Sequence, residues 1–166
     1  LVFSEWVDVF VVLEKALAAN AVRFLRAGGA APAKRAGLPR GPGFAAASAS
    51  AAIAAFQSDA DVAALLLPVS RGANGLNLVE ARHVLMVEPL LDPGAEAQAI
   101  KRVDRIGQVA PTWVHRFVVQ RSVEENIHAM VAPRVEAAAA ARPEALAAAG
   151  AKAALSTNEL VSLLRT

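Results

Sequence analysis

The chain has 166 residues, a formal net charge of +2, 55% hydrophobic residues and no cysteine. That length is one domain's worth, and the missing cysteines exclude disulfides and thiolate metal sites within it. The mean hydropathy of +0.40 suggests a membrane protein, but alanine inflates it, and no run of about 18 strongly apolar, charge-free residues exists, so no transmembrane helix is expected. No charged start followed by an apolar core and a cleavage site is visible, so no signal peptide is expected. The opening Leu1-Val-Phe, without a methionine and in strand-like sequence, reads as the start of a domain excised from a longer chain. A pI of about 9.5 permits nucleic acid as a partner without arguing for it.

Leu1-Val-Phe3 reads as the end of a buried strand. Ser4-Glu-Trp6 leads into a helix reaching about Asn20, with Trp6, Val9, Phe10, Leu13 and Leu17 at the helical apolar period. Ala21 to Leu25 predicts a short second strand. The segment 27–43 is rich in Gly, Pro and Ala, with Arg23, Arg26, Lys34, Arg35 and Arg40 in or beside it. It reads as a solvated, flexible insertion; the alternative is a segment that follows a phosphate backbone. Ala45 to Gln57 predicts an alanine-rich helix with Ile53 and Phe56 toward the core, and Asp59 to Asp61 a turn. Val62-Ala-Ala-Leu-Leu-Leu67 is a continuous apolar run of strand length, the pattern of a strand covered on both faces.

Next comes Pro68-Val-Ser-Arg-Gly-Ala-Asn-Gly-Leu-Asn-Leu78, in which Gly72 and Gly75 allow tight turns and close approach of the backbone to a ligand. His83-Val-Leu-Met-Val87 is the following apolar strand. Asp92 and Pro93 look like an N-cap and first position of a helix that should end at Gly107. On it Gln98, Arg102 and Arg105 are spaced by four and three, which puts them on one stripe. Ala99, Val103 and Ile106 form the neighbouring core stripe. Two fixed guanidinium groups suit a polyphosphate, because each offers planar, permanently charged, bidentate donors. Thr112 to Val119 predicts another strand with Trp113, His115, Phe117 and Val119 on one face. Ser122 and Glu125 read as a capping box. Residues 133–152 are alanine with scattered charge, a long surface helix or partly disordered, and Thr157 to Leu164 a final short helix anchored by Leu160, Leu163 and Leu164. His83, His115 and His128 show no ligand spacing, so no metal site is expected.

Alternating strands and helices, with two motif loops after the carboxyl ends of strands, indicate an α/β fold with a mainly parallel sheet. The full pattern Gln98-x-x-x-Arg102-x-x-Arg105-Ile-Gly-Gln108 resembles motif VI of the Swi/Snf-like branch of superfamily 2, the DNA-translocating chromatin-remodelling ATPases. The glycine loop and the strand after it resemble motif V, and Leu-Val-Phe-Ser before a helix resembles motif IV. Within that branch, the run Leu-Leu-Leu-Pro, then Ala-Asn-Gly-Leu, then Glu-Ala-Arg-His-Val-Leu-Met-Val-Glu-Pro, resembles the SNF-histone-linker-PHD-RING helicase group, remodelling motors fused to a ubiquitin ligase. No RING can lie in this chain, which has no cysteine.

The resemblance implies a RecA-like second lobe, with helices on both faces of the sheet, over residues 1–132 apart from the basic insertion near 27–43. Residues 133–166 would be an alanine-rich helical extension. It implies Arg102 and Arg105 as fingers on ATP, with Gln98, Gly75, Asn77 and Gln108 on the nucleotide side. It implies Ser4, Ser70, Arg71 and Gly72 near a DNA backbone, although Ser4 reads equally as a helix cap. Asp104 stands where the family commonly has His, and Ala73 where its motif V loop has a second Gly.

The chain contains no Gly-x-x-x-x-Gly-Lys-Ser/Thr loop and no Asp-Glu-x-His segment. By the resemblance these belong to an N-terminal RecA-like lobe, which would hold most of ATP and its Mg²⁺. The fragment alone is therefore expected to be inactive. The implied partners are that lobe, double-stranded DNA, and histones or ubiquitination machinery; the implied location is the nucleus, with no membrane association. The competing reading is a non-catalytic scaffold lobe that binds DNA or protein. A metabolic nucleotide-binding enzyme is disfavoured, because no Gly-x-Gly-x-x-Gly follows any strand.

Overall fold

The computed structural model describes residues 1–28, 48–71 and 77–140. The chain forms two compact units, Leu1–Asn74 and Gly75–Thr166. In the first, β1 (Val2–Ser4), α1 (Val7–Ala19), β2 (Phe24–Arg26), α2 (Ala49–Ser58) and β3 (Ala64–Pro68) follow one another. β3 is the middle strand. It pairs in parallel with β1, Val2 opposite Leu66, and with β2, Phe24 opposite Ala64. All five β3 residues are buried, as the unbroken Ala-Leu-Leu-Leu run requires of a strand flanked on both edges and covered on both faces.

Phe10 is the fully buried residue of α1, and Ala52 that of α2, with Ile53 and Phe56 half-buried. Trp6 departs from the expected apolar stripe: it is 65% exposed. The reason is local. Trp6 occupies the N-cap with extended backbone (φ −92°, ψ 112°), so it stands outside the helical phase that aims Phe10 inward. Among the described residues, three ion pairs tie the unit together. Arg23 forks onto Asp59 at 2.8 Å and Asp61 at 2.9 Å, closing the α2–β3 turn against the start of β2. Arg26 meets Glu14 at 3.2 Å, with its guanidinium carbon 5.2 Å from the centre of the Phe10 ring.

The second unit runs β4 (His83–Met86), α3 (Pro93–Ile100), β5 (Trp113–Arg116) and α4 (Val123–Ala140). β4 and β5 are parallel, His83 opposite Trp113 and Met86 opposite Arg116. Val84 and Met86 point into the core, while Trp113 and Phe117 are 60% and 54% exposed. The expected alternation on β5 is thus present, with its apolar face outward. α4 opens by a variant of the expected box. Ser122 Oγ accepts from the Glu124 backbone N–H at 3.1 Å, and Glu124, not Glu125, reaches back to the Val119 N–H at 2.8 Å. The helix then continues through Pro133, with Val131 and Val135 buried, so it crosses the boundary expected at 132.

Every strand pairing within each unit is parallel, and helices alternate with strands along the chain: the fold is α/β. No helix among the described residues is long and apolar enough to cross a membrane. The expected basic insertion, apart from Ala27 and Gly28, and the expected final helix at 157–164 lie outside the described residues.

Candidate functional site

The segment that carries the two arginines starts as expected and then departs. Asp92 caps α3: its Oδ1 accepts from the backbone N–H groups of Gly94 at 2.8 Å and Ala95 at 3.2 Å, and Pro93 takes the first turn, where no N–H is needed. Ala97, Ala99 and Ile100 bury the inner face. Glu96 is buried too. Its carboxylate, 4% exposed, accepts a 2.6 Å hydrogen bond from Arg116 Nε on β5, which fastens the first turn of α3 to the sheet.

The α-helix ends at Ile100, not at Gly107. Beyond it the hydrogen bonds shorten to a three-residue step: Arg102 N–H to the Ala99 carbonyl at 3.3 Å, and Val103 N–H to that of Ile100 at 3.0 Å. The cause is a competitor from elsewhere in the unit. The Arg102 carbonyl, which a continuing helix would commit to residue 106, accepts the Leu78 N–H at 3.0 Å instead. Val103 stays fully buried, but Ile106 swings out to 99% exposure and leaves the expected core stripe. Gly107 then takes φ +107°, a conformation that suits glycine, and turns the chain.

Gln108 locks this turn in place. Its Nε2 donates to the carbonyls of Val79 and Ala81 at 3.0 Å each and of Val103 at 3.3 Å, while its Oε1 accepts the Ala110 N–H at 3.0 Å. The side chain expected on the nucleotide is therefore engaged at both ends by backbone. Its physical task in this arrangement is to hold the arginine turn against residues 79–81.

Arg102 and Arg105 consequently differ. Arg102 is 7% exposed, and desolvation by burial pushes its guanidinium down from 12.5 to about 10. It remains a cation at neutral pH, but a costly one. Arg105, two short-range bonds further on, is exposed.

Human E3 ubiquitin-protein ligase SHPRH is 43% identical over 131 residues, which is 79% of this chain and 7% of that protein. The chain is a C-terminal RecA-like helicase lobe of the Swi/Snf-like superfamily 2 kind. DNA repair protein RAD5 of Gibberella zeae is 35% identical to the lobe over 76% of its length, and the lobe spans 10% of that protein. Among solved structures, the C-terminal part of the Fun30 ATPase domain superposes with a TM-score of 0.64 at 26% identity, covering 78% of the lobe and 38% of that chain. No protein-family model matches the sequence. The lobe thus spans a small part of these curated relatives.

Within the lobe's second unit, Asn77 adjoins Leu78 and so lies beside the backbone of the arginine turn; Asn77 and Gln98 are both exposed. Gly72 and Gly75 lie outside the described residues. In the first unit, Ser70 is exposed on a single 3-10 turn, Val69–Arg71, that follows β3; for Arg71 only the backbone is described. Ser4 is fully buried, and its hydroxyl accepts the Trp6 N–H at 3.0 Å and donates to the Trp6 carbonyl at 3.3 Å. These two bonds shape the exit from β1. Sequence reasoning missed the Glu96–Arg116 pair. Its one signal was a charged residue on the inward phase of an alternating strand.

Proposed function

We propose that the lobe is the second motor half of a DNA-dependent ATPase and translocase, and that Arg102 and Arg105 are its arginine fingers. The observation that carries this reading is the burial of Arg102, which is 7% exposed and whose guanidinium is disfavoured as a cation by desolvation. An anion brought against it relieves that cost, so a polyphosphate binds there more strongly than at a solvated arginine. Arg105 offers a second, exposed guanidinium three residues on. The backbone of the turn is bonded to the segment that leaves the glycine loop.

ATP with Mg²⁺ would be held mainly by an N-terminal RecA-like lobe, which supplies the phosphate cradle and the metal carboxylate. Arg102 and Arg105 would neutralise charge developing on the γ-phosphoryl group, with Gln98, Gly75 and Asn77 beside it; fingers of this kind are worth about 10³ or more in rate. Residues 70–72 would track the DNA backbone, and opening and closing of the nucleotide cleft would move them along it. Nuclear location, double-stranded DNA, and histone or ubiquitination partners belong to the same reading. In the full-length protein, Arg105→Ala is expected to abolish DNA-stimulated ATP hydrolysis with the fold intact, as judged by circular dichroism. Near-normal turnover would reject the finger role. The lobe alone should hydrolyse no ATP above background.

A further inference from the structure

One face of the β4–β5 pair is apolar and has no part in the motor reading. α3 lies on the face of Val84, Met86 and Arg116, fastened there by the Glu96–Arg116 pair, and α4 packs against α3. Among the described residues the opposite face is left open. On it Trp113 is 60% exposed, Phe117 54% and Val119 59%. Leu85 and Val87 are half-buried beside them. The Phe117 N–H donates to the Met86 carbonyl at 3.0 Å, so the ladder runs on past β5 and these side chains alternate onto one side of a continuous strand. His83 and His115 share that side, hydrogen-bonded to each other at 3.0 Å, which lowers the cost of covering them. A parallel sheet is ordinarily covered on both faces. The three exposed side chains amount to about 300–400 Å² of apolar surface, the size of patch at which something docks.

We infer that segment 157–164 of this same chain, which lies outside the described residues, covers that face. Its Leu160, Leu163 and Leu164 recur at the helical spacing of three and four, and Ser162 falls on the other side. Eight residues make about 12 Å of helix, close to the distance from Trp113 to Phe117 at about 3.3 Å per strand residue. Reach permits the docking. α4 is described as far as Ala140, which leaves residues 141–156 as the connection. That connection spans about 24 Å if helical and more if extended. The path from one face of the sheet to the other is about 20 Å, at roughly 10 Å per layer. It rounds β5, an edge strand among the described residues, and crosses no other strand. The connection carries just two large apolar residues, Leu146 and Leu155, well apart, so the leucine stripe is the apolar surface this end of the chain has to bury. Size argues against a second copy as the cover. A stable dimer buries about 800 Å² per partner, about twice what this face offers.

The chain has no cysteine, so one introduced thiol is a unique probe. The test places His115→Cys, at an exposed position midway between Trp113 and Phe117, in the full chain and follows its rate of modification by a maleimide under native conditions. The expected rate is at least about tenfold slower than in the same chain ended after Ser156, because a docked segment admits the reagent only when it opens. A peptide of residues 157–166, added to the shortened chain, should restore the protection saturably. Leu160→Asp combined with Leu164→Asp charges the stripe and leaves every described residue in place. That variant should react as fast as the shortened chain, with an unchanged circular dichroism spectrum in the strand region, while Ser162→Asp, off the stripe, stays slow. A thiol that reacts as fast in the full chain as in the shortened one would leave the face to another protein. Protection that rises with protein concentration would assign it to a second copy. Either result, or slow modification in the doubly charged variant, would overturn the inference.

Discussion

Replacing Gln108 by alanine should loosen the arginine turn more than any exposed glutamine has a right to. The amide has two N–H donors shared among three carbonyls, those of Val79, Ala81 and Val103, and one oxygen that accepts from Ala110. Counting three hydrogen bonds at roughly 0.5–1.5 kcal/mol each, and allowing water to reach part of a half-buried site, the loss is about 2 kcal/mol. In a chain of 166 residues that lowers the thermal midpoint by roughly 4–8 °C. Gln108→Glu separates donors from shape. It keeps the length and an acceptor but sets a carboxylate against three carbonyls, so it should be at least as unstable as alanine. Thermal unfolding of the three proteins at neutral pH measures this, with amide exchange at Leu78 as the local readout. A shift under about 1 °C for Gln108→Ala, or a glutamate variant as stable as wild type, would refute the view that this side chain holds the turn.

Two further outcomes follow from α3. Arg116→Ala strips the partner from a carboxylate that is 4% exposed, and should cost about 2–3 kcal/mol, discounted from the fully buried case because Arg116 is itself 28% exposed. Adding Glu96→Gln, which leaves no unpartnered carboxylate in the buried site, should recover part of the loss, as urea midpoints of the single and double variants measure. Asp92→Ala removes the acceptor for the Gly94 and Ala95 N–H groups and should cost about 1 kcal/mol in the same assay.

What was legible in the sequence divides by range. Asp92-Pro93 could be read as a helix start because a cap is settled by residues two and three positions away. The Ala-Leu-Leu-Leu run could be read as a doubly covered strand because burial on both faces leaves no alternation. The end of α3 could not be read that way. It is decided by the Leu78 N–H taking the Arg102 carbonyl, a partner 24 positions earlier in the chain, and Ile106 is stranded in solvent as a result. The same holds for Gln108, whose acceptors lie at 79 and 81, and for Glu96, whose partner arrives on β5. Motif resemblance identified the lobe. It carried no information about the backbone groups that Gln108 meets. Trp6 was missed for the opposite reason, a single residue outside the helical phase.

The decisive measurement is single-turnover ATP hydrolysis by the full-length protein at saturating DNA, for wild type, Arg102→Ala and Arg105→Ala, with ADP affinity measured alongside. If the two guanidinium groups act on the γ-phosphoryl group, the chemical step slows by about 10³ or more in each variant, while ADP, which lacks that group, binds as tightly as before. A chemical step within about threefold of wild type in both variants, well short of the finger effect, would contradict the account.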